Sequence, residues 1–234
     1  MSTALSVIIL IAIVLAAGLL RDSFRTKAVT RWGKTHGFSF VPKPEHDNER
    51  LIAWAKRFAT TSASHWGIVL RGESDGLETT IAEHEERRIK GPARWHTLAV
   101  TRMPGLKMDA VRFTQAGSQV IRAVTDAVIA PGRAVRDALG IEVAERPVHR
   151  IGQGKWAVEV ANEDALAFWS SEAQAAAIDA WLHDAELAAV DDYVLVRVPG
   201  PISAGSLDDL LACSGAARAF FTQAAARMSE ACRT

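Results

Sequence analysis

The sequence predicts an α+β protein: an N-terminal transmembrane helix, then a domain whose antiparallel sheet packs against several helices. Three observations predict it. Ala4 to Leu20 carries no charged residue. Period-two runs bounded by turns cluster between residues 65 and 115, and capped helical periods dominate afterwards.

In the first run the only polar side chain is Ser6. Its 17 residues make a helix about 25 Å long, against a hydrocarbon core of about 30 Å. Met1 to Thr3, or Phe24 beyond the boundary, make up the difference. A cleaved signal peptide competes, because Ala16, Ala17 and Gly18 resemble a cleavage site, yet the basic n-region it needs is missing. No cysteine follows "LAAG", which excludes a lipid-anchored lipoprotein, and an ordinary buried core helix fits badly because the stretch has no polar face. The reading is a retained single span.

The charge beside it sets the orientation. Arg21, Arg25, Lys27, Arg31 and Lys34 stand against one anion, Asp22, while the N-terminal flank has no Lys or Arg. Cations stay on the cytoplasmic side, so the N-terminus is expected outside and the body in the cytoplasm of a single-pass membrane protein. The five cations then face anionic headgroups, each worth about 1 kcal/mol, or serve only as a topology signal. Trp32 in this stretch is either an interfacial anchor or a cap on the domain. The rest of the chain holds 22 cations and 26 anions, a net −4. That sign disfavours nucleic acid as a partner.

"FRTKAVTRWGKTHG" predicts a juxtamembrane helix stopping at Gly37, and "FSFV" a short strand. Leu51, Ile52, Trp54, Ala55 and Phe58 give a helical stripe over Asn48 to Ala59. "HWGIVLRGE" and "LETTIAEHEE" flank Ser74-Asp75-Gly76 as a hairpin, and "RWHTLAVTRM" and "MDAVRFTQ" follow as strands. A meander of four consecutive strands is the simplest arrangement. Helices are expected at Ser118 to Ile129 and, between Pro131 and Gly140, at Pro131 to Leu139. "KWAVEVA" is a strand. Ser171 and Gln174 form a capping box before Ile178, Trp181 and Leu182. "YVLVRV" is apolar enough to be central in the sheet. Ser206, Asp208 and Asp209 start a long helix with the face Leu207, Leu210, Leu211, Ala217, Phe220, Phe221, Ala224 and Met228. The domain organisation is therefore 1–20 anchor, 21–37 basic juxtamembrane helix and 38–234 a single α+β domain, weakest near Arg146-Pro147.

Motifs that carry chemistry fail at decisive positions. His84-Glu85-Glu86-Arg87-Arg88 begins like HExxH, but Arg88 stands where the second histidine belongs, and the stretch reads as strand. Gly152-Gln153-Gly154-Lys155-Trp156-Ala157 spells a dinucleotide fingerprint, but a strand follows where a helix must begin. The seven histidines show no paired ligand spacing, and there is no Gly-x-Ser-x-Gly elbow. Cys213 and Cys232 read as free thiols. Catalytic residues, metal and cofactor are all expected to be absent. The seven tryptophans are the compositional oddity: Trp54 and Trp181 read as core, whereas Trp66, Trp95 and Trp156 fall near strand starts, where a pocket wall would suit them.

"RWGKTHGFSFV", "VLRGESDGLETTIAEHE" and "WHTLAVTRMPG" resemble uncharacterised bacterial single-span membrane proteins with a cytoplasmic α+β domain. That resemblance implies the layout and no activity. The expected function is non-enzymatic interaction or scaffolding for an unknown protein partner at the membrane. The alternative is a domain binding a small apolar ligand or lipid in a Trp-lined pocket, and an enzyme without a recognisable motif comes third.

Overall fold

The computed structural model describes residues 2–42, 64–86, 94–115, 148–151, 156–160, 165–179 and 185–231. Its elements are α1 (Ser2–Thr35), β1 (Ser39–Phe40), β2 (Ser64–Ser74), β3 (Leu77–Glu86), β4 (Arg94–Arg102), β5 (Met108–Gln115), β6 (Val148–Ile151), β7 (Trp156–Val160), α2 (Leu166–Trp169), α3 (Glu172–Asp179), β8 (Glu186–Asp191), β9 (Tyr193–Pro199), a 3-10 turn (Ala204–Ser206) and α4 (Leu207–Ala231). The helices expected at 48–59, 118–129 and 131–139 lie outside the described residues, as do the Gly152–Lys155 turn, Trp54 and Trp181.

The expected span and juxtamembrane helix are one helix, α1, 34 residues long. It stops where the sequence says. Gly37 takes φ 76, and the Phe38 amide donates back to the Gly33 carbonyl at 2.7 Å, a glycine-closed C-terminus that satisfies the last carbonyls. Among the described residues no helix is long and apolar enough to cross a membrane. Most side chains of Ala4 to Ala17 fall outside that description.

Among the described residues nine strands form one sheet in the order β1-β2-β3-β4-β9-β8-β5-β7-β6. The predicted β2–β3 hairpin turns on Asp75 (φ 52) and Gly76 (φ 74), with Ser74 opposite Leu77. Two residues of positive φ match the right-handed twist of the strands they join. The four-strand meander is corrected. It ends at β4, whose next neighbour is β9, and β5 lies beyond β8. The reason is burial: Val194, Leu195, Val196 and Arg197 of β9 are all buried, as a central strand requires. β8 was not legible as a strand because its "ELAAVD" is rich in alanine, a weak strand former.

The helices cover one face of the sheet. There Phe113 of β5 meets Trp169 of α2 edge-on at 5.4 Å and Phe220 of α4 at 5.9 Å. Leu207, Leu210, Ala217, Phe220, Phe221 and Ala224 of α4 are buried, as their spacing predicts. The second face carries a separate buried cluster: Trp66, Val69, Ala82, Leu98, Val100, Ala188, Val190 and Leu195. Among the described residues no helical side chain belongs to it.

Candidate functional site

The lower half of α1 is built into the body. Val29 and Trp32 are buried in the main core beside Phe38, Leu70 and Ile81. Trp32 and Val29 lie three apart, one helical turn on one face. The Trp32 indole N–H donates to Asp208 Oδ1 of α4 at 3.0 Å. His36 stacks on the indole with ring centroids 4.3 Å apart and reaches the same carboxylate at 3.4 Å. Asp208, in the first turn of α4, thus ties α1 to that helix.

One turn above Val29, Arg25 pairs with Glu83 of β3 through Nη1 and Oε1. Glu83 is 1% exposed. Its carboxylate also accepts the amides of Ile68 at 3.4 Å and Ile202 at 3.2 Å. A buried carboxylate needs that many donors to offset its lost hydration. Gly67 makes the room, since a Cβ there would collide with the Glu83 carboxylate. One residue thereby joins α1, β2, β3 and the connection into α4.

The five cations do not share one environment. Arg25 is turned into the body toward Glu83, whereas Arg21, Lys27, Arg31 and Lys34 are exposed. Lys27, Arg31 and Lys34 recur at i, i+4 and i+7, one face of the helix. Above them the described apolar side chains are bare: Leu19 is 73% exposed, Leu20 59% and Phe24 68%.

The second face of the sheet combines its apolar cluster with a compensated ion network. Arg112 Nη2 donates to Glu186 Oε2 at 2.8 Å, Arg197 Nη1 donates to the same oxygen at 3.2 Å, and Glu159 lies 3.7 Å from Arg112 Nη1. These groups come from β5, β7, β8 and β9, so the network stitches four strands. Within the cluster Trp66 tilts against His84 with centroids 4.8 Å apart.

The tryptophans do not line one wall. Trp66 lies on the second face, Trp156 is in the core beneath the helices, and Trp95 is half-buried on β4. His84, Glu85 and Glu86 lie in strand β3, where i and i+4 side chains do not converge on a metal as they do on a helix. Among the described residues no group of three or more His, Cys, Asp or Glu is placed to hold a metal. Burial pushes the half-buried Cys213 thiol up to about 11, so it stays protonated near neutrality. Glu83 escaped the motif reading, although period two puts it on the face of Thr79 and Ile81, where a carboxylate must find partners.

The fold is that of a mixed α+β domain with an antiparallel sheet covered on one face by helices. No protein-family model matches the chain, and no curated protein matches it. It is similar to the crystal structure of the mycobacterial trehalose monomycolate transport factor A, TtfA, at 14% identity and a TM-score of 0.55. The similarity covers 84% of this chain and 93% of that one. At that identity the likeness is one of fold.

Proposed function

We propose that this chain is a membrane-tethered, non-enzymatic interaction domain: residues 4–20 cross the bilayer, the N-terminus lies outside, and the body docks a partner at the cytoplasmic surface. The observation that carries this reading is α1 itself. It runs unbroken from the uncharged run into the core, so anchor and body are one mechanical piece. The bare Leu19, Leu20 and Phe24 fit an apolar surrounding, and the exposed Arg21, Lys27, Arg31 and Lys34 fit the cytoplasmic flank of a span.

A second reading, binding of a lipid or similar amphiphile, draws on the second face of the sheet. Its buried apolar cluster adjoins the Arg112, Arg197, Glu186 and Glu159 network, apolar and charged groups side by side on one face. The fold neighbour named as a trehalose monomycolate transport factor points to the same ligand class. The two readings combine in an accessory domain that serves lipid handling from the inner membrane surface. The test is purification of the full chain from membranes through a C-terminal tag, with proteins and lipids identified by mass spectrometry. A reproducible membrane protein or a stoichiometric lipid is expected. A clean monomer with neither contradicts both readings.

A further inference from the structure

We infer that the body makes a second, peripheral contact with the bilayer through the β3–β4 end of its sheet, with Trp95 and Arg94 seated among the lipid headgroups. The inference rests on the reading of residues 4–20 as the anchor, and deepens it by naming what the body touches.

The geometry comes from where α1 meets the sheet. At its lower end Gly37 and Phe38 press against Gly72 of β2, where an added Cβ would lie 2.7 Å from the Gly37 carbonyl oxygen. Further up, Gly33 lies against Leu70. Higher still, Arg25 meets Glu83, whose carboxylate overlies Gly67. From Gly72 to Gly67 is about 17 Å of strand, and from Gly37 to Arg25 about 18 Å of helix. α1 therefore runs alongside β2 in the same direction, and both rise toward the oily run.

The end of that run is close. Leu20 is five residues above Arg25, about 7.5 Å of helix. The headgroup layer is about 5–7 Å thick on each side of the hydrocarbon. Glu83 therefore stands at the foot of that layer. The strands do not stop there. Glu83 is opposite Thr97, Glu85 opposite Trp95 and Glu86 opposite Arg94. Trp95 lies about 7 Å beyond the level of Glu83, level with Arg21 and Leu20, and Arg94 about 10 Å beyond it, from where its long side chain reaches back to the headgroups.

The chemistry agrees with the position. Tryptophan and arginine are side chains that place an apolar body and a polar tip across a membrane interface. Arg94 is exposed and Trp95 half-buried. The Trp95 carbonyl accepts the Gly200 amide at 2.8 Å, which brings the exposed Pro201 to the same rim. Glu85, facing Trp95 across the register, is half-buried and already engaged by a neighbour. The opposite end of the sheet is different, with the exposed Glu73, Asp75 and Glu78 around the β2–β3 turn. The Arg25–Glu83 pair ties the strand below that rim to α1.

The test uses the full chain in vesicles of phosphatidylcholine and phosphatidylglycerol, with both native cysteines replaced by alanine. An environment-sensitive fluorophore is placed on W95C or, as reference, on D75C, and quenched by headgroup-nitroxide lipid. Several-fold stronger quenching at 95 than at 75 is expected, with blue-shifted emission. Should W95C not fold, P201C carries the probe at the same level, with the same expectation. A chain that stays with the vesicles through a carbonate wash, yet shows equal, weak quenching at both ends, overturns this contact and leaves the anchor standing. A chain that the wash removes overturns the anchor reading and this contact with it.

Discussion

The two halves of α1 are one continuous helix in two surroundings. Below Arg25 the helix is amphipathic: Val29 and Trp32 are buried, and Lys27, Arg31 and Lys34 face outward. Above Arg21 the run has no polar face, and its described side chains have no cover from the body. Secondary structure is the same in both halves, so helix formation does not distinguish them. The pattern of side chains does: the lower half has a buried and a charged face, and the upper half has no polar face.

The contrast predicts that substitutions below Arg25 unfold the body while changes above Arg21 do not. Trp32→Ala is expected to have the largest effect, about 3–5 kcal/mol off the urea unfolding free energy, through the emptied volume and the lost hold on Asp208. A loss under 1 kcal/mol would mean that α1 is not part of the core. Glu83→Ala comes next, at about 2–4 kcal/mol, because two buried amides lose their acceptor and Arg25 its partner. Its lower position reflects Arg25 being 26% exposed, which lets water replace part of the pair. A double-mutant cycle with Arg25→Met isolates the pairing, and zero coupling would show the two side chains to be independent. Gly67→Ala follows at about 1–3 kcal/mol, since its Cβ must displace the Glu83 carboxylate. Thermal unfolding checks it, and an unchanged midpoint would place that carboxylate elsewhere. The smallest effect on stability belongs to the upper half. Deleting residues 2–19 is expected to leave the unfolding free energy within about 0.5 kcal/mol while the protein leaves the membrane fraction. If the deletion destabilises the body as much as Trp32→Ala does, the upper half is packed and the contrast fails.

Strands with a strong period, such as "LETTIAEHEE" and "YVLVRV", were legible in the sequence, as was the apolar stripe of α4. The order of strands was not. Which strand follows β4 depends on long-range burial, and local alternation carries no record of it. β8 was hidden by its alanines and β6 by its shortness, four residues. Of the α1 junction, the Gly37 stop and the buried Trp32 were within reach. The Arg25–Glu83 pair was not, because its members are 58 residues apart and each looks like an ordinary surface charge. Arg25 in particular reads as one of five equal cations, and only the body's contact with the helix separates it from the other four. Trp66 and Trp156 looked equivalent at strand starts, yet the parity of each strand sends them to opposite faces.

That α1 carries the body at the cytoplasmic surface of a membrane is the proposal on which the others depend. Its most direct test is protease added to intact spheroplasts and to inverted membrane vesicles from cells making the full chain with a C-terminal tag. The tag is expected to sediment with membranes, survive in spheroplasts and be removed in inverted vesicles. A tag cleaved in intact spheroplasts, or found in the soluble fraction, would contradict it.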